Sequence, residues 1–155
     1  MTRFFCLLML LALGACNRPP EVRFFPGDIY PERLSAWGIT ERQGDSLVFA
    51  RRALPYELNS SLFSDYALKL RTVWLPPGET ANFNAEEAFE FPTGTIVTKT
   101  FFYPRSSGTG KPALAARQGW SGDMTEVNFI DHEIIETRLL VRQAGHWDAL
   151  PYVWS

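Results

Sequence analysis

The chain has 155 residues, 46% hydrophobic and 21% charged, with a formal net charge of −2, so it is long enough to bury one core. Its longest basic run is Arg51-Arg52, which argues against a nucleic-acid partner. Both cysteines, Cys6 and Cys16, lie near the amino terminus, which leaves the rest of the chain without a thiol for a disulfide, a zinc site or a nucleophile.

Met1-Thr2-Arg3 is followed by an apolar run over residues 4–13 and then by Leu13-Gly14-Ala15-Cys16. A short positive segment, a short hydrophobic core and a small-residue cleavage site make an export signal. The run is too short to cross a hydrocarbon layer of roughly 30 Å as a helix. Residues 13–16 resemble the lipobox of bacterial lipoproteins. That resemblance implies diacylglycerol on the Cys16 sulfur, cleavage after Ala15 and acylation of the new amino terminus; several acyl chains would make membrane attachment stable. Asn17 follows the cysteine where inner-membrane retention is associated with aspartate, so the same rule points to the outer membrane, facing the periplasm. An ordinary secretion signal with an incidental cysteine is the alternative. The expected organisation is a signal peptide over 1–15, a lipidated Cys16 with a tether to residue 29, and a single β domain over 30–155.

The tether reading rests on Pro19, Pro20 and Pro26, with Phe24 and Phe25 available to dock on the domain. Pro31 in a first turn, Leu34 and Trp37 three apart and a following Gly38 predict one short helix over 31–37. Residues 46–50 predict a short strand, and an irregular stretch then runs through Pro55 to Ser61. Over 66–74, Tyr66, Leu68, Leu70, Thr72 and Trp74 alternate with Ala67, Lys69, Arg71 and Val73, the pattern of a half-buried strand.

Residues 94–103, rich in Thr, Val, Ile and aromatics and held between Pro92 and Pro104, predict the central strand. Residues 104–123 read as a long loop, which in a compact domain is usually functional or disordered. Over 134–142, Ile135, Thr137, Leu139 and Val141 are expected to face in, while Ile134, Glu136, Arg138, Leu140 and Arg142 face out. Residues 147–154 return as an edge strand, demoted by Pro151. Short strands separated by Gly and Pro turns fit an all-β, mainly antiparallel sandwich or jelly-roll with one short amino-terminal helix.

Three blocks form an ordered set: Pro55-Tyr-Glu-Leu-Asn-Ser-Ser-Leu-Phe-Ser-Asp-Tyr-Ala-Leu-Lys-Leu-Arg71, Phe91-Pro-Thr-Gly-Thr-Ile-Val-Thr-Lys-Thr-Phe-Phe-Tyr103, and residues 136–142 with 147–154. Together with Leu34-Ser-Ala-Trp-Gly38 they resemble the amino-terminal region of bacterial diheme c-type cytochrome lipoproteins. The resemblance implies an accessory β region of a redox lipoprotein, with periplasmic electron-transfer proteins as partners. Fuller members carry haem c, each attached through Cys-x-x-Cys-His and held by the histidine. No such sequence occurs before Ser155, so no haem and no other cofactor is expected in this chain. It ends inside a predicted strand, which fits a truncated or frame-shifted relative as readily as a stand-alone protein.

Candidate chemistry is sparse. Asp131-His132-Glu133 offers metal-ligand types, but neighbours on a strand point to opposite faces, so only the carboxylates would share one. His146 reads as a turn residue, and no metal site is expected. Lys99, in the middle of an apolar strand, would want a carboxylate if buried, and Asp65 beside Ser64 and Tyr66 is the candidate partner of a polar pocket; the plainer reading sends Lys99 to water and leaves Asp65 capping a turn. No Gly-x-Ser-x-Gly elbow, phosphate loop or dinucleotide fingerprint occurs. The functional expectation is therefore a non-catalytic, lipid-anchored β domain for protein contact. A glycan- or small-molecule-binding module lined by exposed aromatics is the alternative.

Overall fold

Strand β5 (Ile96–Pro104) lies at the centre of the larger of two sheets and organises the rest. The computed structural model describes residues 21–60, 62–105 and 125–155. The expected signal peptide and Cys16, and residues 106–123 of the expected long loop, lie outside the described residues. Around β5 are β3 (Leu54–Pro55), β4 (Leu68–Trp74), β7 (His132–Arg142) and β8 (Trp147–Val153), in the order β3-β4-β5-β7-β8. The smaller sheet has the order β1-β2-β6, from β1 (Thr40–Gln43), β2 (Ser46–Phe49) and β6 (Glu126–Asn128). Every pairing is antiparallel, so the chain is an all-β antiparallel sandwich. No helix among the described residues is long and apolar enough to cross a membrane.

Two apolar clusters join the sheets. One gathers Trp37, Ile39, Trp74, Ile96, Leu139 and Val141 with their neighbours; the other holds Leu47, Leu70, Phe102, Val127 and Ile134. Between them, on the inner face of the large sheet, runs a polar stripe of Thr72, Thr98, Thr100 and Thr137, all fully buried. A buried hydroxyl is costly unless it is hydrogen-bonded. These pair across strands, Thr72 with Thr98 at 2.7 Å and Thr100 with Thr137 at 3.0 Å, and the Trp154 indole N–H donates to Thr137 Oγ1.

The expected helix over 31–37 is a single 3-10 turn, Leu34–Trp37. Leu34 and Trp37 are both buried, as their spacing required, but only four residues wind before Gly38 leaves at φ 65°. Residues 21–30 lie against the domain. Phe24 and Phe25 pack on the first cluster, and the Arg23 N–H donates to the Trp37 carbonyl at 2.8 Å. Gly38 makes this docking possible, because a Cβ there would stand 2.2 Å from the Glu21 carbonyl oxygen. Gly38→Ala is expected to cost about 1–3 kcal/mol through the left-handed backbone conformation and to expose residues 21–30 to protease. A shift in urea midpoint, read beside the proteolysis rate, checks it.

Ile134 is corrected from the outer face to the core, where it is 6% exposed. The reason is a β-bulge: Phe101 pairs with Glu136 but Phe102 pairs with Ile134, so Ile135 is the extra residue and the alternation resets. Pro104 likewise belongs to β5, opposite His132, rather than to a loop.

Candidate functional site

Alternation along β4 sends Leu70, Thr72 and Trp74 into the sandwich and turns Lys69 and Arg71 to the opposite, outer face of the large sheet. On that face the register sets Arg71 opposite Lys99 and Lys99 opposite Arg138, three cations in one row across three strands. The next row is Lys69, Phe101 and Glu136. Like charges directly opposite one another on adjacent strands are destabilising. Among the described residues one carboxylate answers them: Glu136 accepts both Arg138 bonds, from Nε at 2.8 Å and from an Nη at 2.9 Å.

Phe101 is shared by two of the cations, with Lys99 Nζ 4.7 Å and Arg138 Cζ 4.9 Å from its ring centre. Lys69 Nζ donates to the Leu62 carbonyl at 2.5 Å. Arg71 is only 7% exposed, and no hydrogen bond or ion pair among the described residues engages its guanidinium. Burial pushes the Lys99 amine below the usual lysine range, and Arg71, Lys69 and Arg138 push it the same way against Glu136. Burial and Arg71 do the same to Lys69. A groove of ≈ 580 Å³ runs beside this row, with Tyr56, Lys99, Arg138, Leu140 and Pro151 among its walls.

The residues singled out from sequence fall differently. Lys99 is half-buried at the centre of the cationic row, whereas Asp65 is exposed in a turn at φ 44°, its backbone carbonyl accepting the Tyr103 hydroxyl at 2.9 Å. No ion pair joins the two among the described residues. His132 Nδ1 sits 3.1 Å from the Asn128 carbonyl and Glu133 pairs with Arg105 at 3.3 Å, and among the described residues no group of three or more His, Cys, Asp or Glu is placed to hold a metal ion. His146 pairs with Asp148 at 3.3 Å, Asp148 also accepts the Tyr30 hydroxyl, and Gln143 donates to that hydroxyl and to the Phe25 carbonyl. This network ties the β7–β8 hairpin to the docked amino-terminal segment. Burial, and then Asp148, push the Tyr30 hydroxyl above the usual tyrosine range.

The sign of the lysine shifts fixes a pH effect. With the folded pKa below the unfolded one, the native state holds fewer protons between the two values, so these lysines subtract stability at neutral pH and cease to do so near pH 10.5. Tyr30 and Tyr56, raised chiefly by burial, act oppositely, losing stability as the pH climbs above the unfolded tyrosine value of 10.0. Lys99→Gln is therefore expected to raise the melting temperature at pH 7, by the equivalent of up to about 1 kcal/mol, with the gain shrinking toward pH 10. The one ring contact it gives up is outweighed by two directly opposed cations. A lower melting temperature at pH 7 would contradict the repulsion.

A second surface feature lies at the other end of the sheet. Asn82 and Glu90 clasp a hairpin by reciprocal backbone bonds of 2.9 and 3.0 Å, and its rings continue across to β8. Successive centroids are 5.8 Å apart for Phe83 and Phe89, 6.2 Å for Phe89 and Phe91, and 5.8 Å for Phe91 and Trp147. Arg142 Cζ stands 5.7 Å over Trp147. Phe83 is 76% exposed, Phe89 52% and Trp147 38%, so this is an open aromatic ladder rather than core. Glu79, Asn82 and Glu90 supply polar walls to its groove. From sequence, Phe89 and Phe91 read only as the approach to the central strand and Trp147 as an edge; nothing local signals that they meet.

No protein-family model, curated protein or solved structure matches the chain. Fold and surface together define an antiparallel β-sandwich carrying one cationic sheet face and one aromatic groove.

Proposed function

We propose that the chain is a non-catalytic, lipid-anchored β-sandwich module, held through Cys16 at the periplasmic face of the outer membrane and serving as a protein-interaction element of a redox system. The leader and residues 13–17 support the anchor and its location, and the ordered blocks over residues 34–154 support the likeness to the accessory region of diheme c-type cytochrome lipoproteins. The single observation that carries the interaction reading is the Phe83-Phe89-Phe91-Trp147 ladder with Arg142 at its edge. Aromatics and arginine are the side chains that anchor interfaces, and a contiguous exposed apolar patch marks a contact surface. A glycan is the second reading, favoured by Glu79, Asn82 and Glu90, which could meet hydroxyls while a ring lies against an apolar sugar face.

The test is calorimetric titration of the full chain in detergent with purified periplasmic c-type cytochromes, and separately with oligosaccharides. Saturable cytochrome binding, weakened at least tenfold by Phe89→Ala with Trp147→Ala, supports the first reading. Both side chains are solvent-open, so the variant should fold. Sugar binding without cytochrome binding reverses the order of the two.

A further inference from the structure

We infer that Arg71, Lys99 and Arg138, flanked by Lys69, form a binding site for a phosphoryl group on the outer face of the five-stranded sheet. Among the described residues these four cations meet one carboxylate on that face, Glu136, and it is already engaged by Arg138. A chain of net charge −2 that sets three of its 15 Lys and Arg in one row, directly opposed, accepts repulsion that a scattered arrangement would avoid. Arg71 extends the row on β4. It is more than nine-tenths buried, its neighbours along the row and on its own strand are Lys99 and Lys69, and no carboxylate among the described residues pairs with it. No buried side-chain nitrogen among the described residues lacks a partner, so solvent reaches the guanidinium nitrogens that make no bond inside the chain, and an anion from outside can reach them too.

The chemistry of the row selects the anion. Arginine forks and a lysine point charge together are the donors that hold phosphate oxygens. The local excess of positive charge suits a phosphate monoester, which carries close to two negative charges at neutral pH, better than a carboxylate with one. Burial and the neighbouring cations already disfavour the charged amine of Lys99, and a bound dianion would reverse that push. The adjoining groove continues from Lys99 and Arg138 over Val97, Leu140 and Pro151, so there is apolar wall for the organic part of a monoester. The site lies apart from the aromatic ladder, with which it shares no residue.

Isothermal titration of the full chain in detergent, at fixed ionic strength in chloride, with phenyl phosphate and with inorganic phosphate tests this. Saturable binding is expected for both, tighter for phenyl phosphate. Lys99→Gln, on a half-exposed side chain, should weaken it at least tenfold, and Arg71→Gln by as much or more. Glu136→Gln, which frees Arg138 from its internal partner, should tighten binding several-fold, an effect that a merely damaged fold would not give. Competition by phosphatidic acid vesicles, and none by phosphatidylcholine vesicles, would assign the phosphoryl group to a lipid headgroup; no competition by either would assign it to a soluble ester. Absence of saturable binding to phenyl phosphate, or binding unchanged in Lys99→Gln, overturns the site.

Discussion

Trp37→Ala is expected to destabilise the domain by about 3–5 kcal/mol, a large share of the total stability of a small domain. The side chain is fully buried, and three side chains rest on it. Its indole N–H donates to the Tyr152 hydroxyl at 2.7 Å, Tyr30 stacks on it at 5.9 Å, and Phe25 meets it edge-on at 4.9 Å. Alanine would leave a cavity under all of these, while the Tyr152 hydroxyl keeps only its bond to the Pro31 carbonyl. Residues 21–30 should then detach before the sheets separate, because their backbone is held to the Trp37 carbonyl and their rings to its indole. Urea denaturation gives the loss, and protease cleavage within 21–30 under native conditions gives its order. A midpoint near wild type would show that the first cluster does not depend on this residue.

Phe102→Ala should cost a similar amount, about 3–5 kcal/mol, by a different route. Phe102 is fully buried in the second cluster and follows the point where the β5–β7 register shifts. Its ring meets His132 at 5.3 Å and packs among Leu70, Ile134 and the small-sheet residues Leu47 and Val127. Removing it empties the contact that holds the small sheet onto the bulged end of the large one. Phe49 and Trp154 pack against both clusters across the threonine stripe, so unfolding should remain one cooperative transition in either variant. Two resolved transitions in the denaturation curve would contradict that coupling.

How much of this could be read from sequence depended on whether the signal was local. The alternation over 68–74 and the β-branched run over 96–103 are local, and β4 and β5 follow them. β7 followed its pattern as far as Thr137; beyond it the bulge reversed the facing of Ile134, and a bulge is set by pairing with Phe101 and Phe102 rather than by residues 132–136 themselves. Thr40-Glu-Arg-Gln43 and Glu126-Val-Asn128 carry no apolar alternation and become strands only because β2 lies between them. The same division holds for the candidate site. Lys99 stands out on its own strand as a charge among apolar residues, but its neighbours are decided by register, which brings Arg71 from β4 and Arg138 from β7 beside it while Asp65 stays in a turn. Phe91 and Trp147 meet only after β8 has folded back on β7.

The proposed location, and with it the set of partners the domain meets, presupposes an acylated amino terminus. The most direct measurement is therefore the intact mass and membrane partition of the protein beside its Cys16→Ser variant, made in the native host. The expected result is a wild-type chain that has lost residues 1–15, gained acyl mass and sediments with the outer membrane, and a variant with neither the acyl mass nor the outer-membrane partition. Identical mass and identical partition for the two would contradict the lipid anchor.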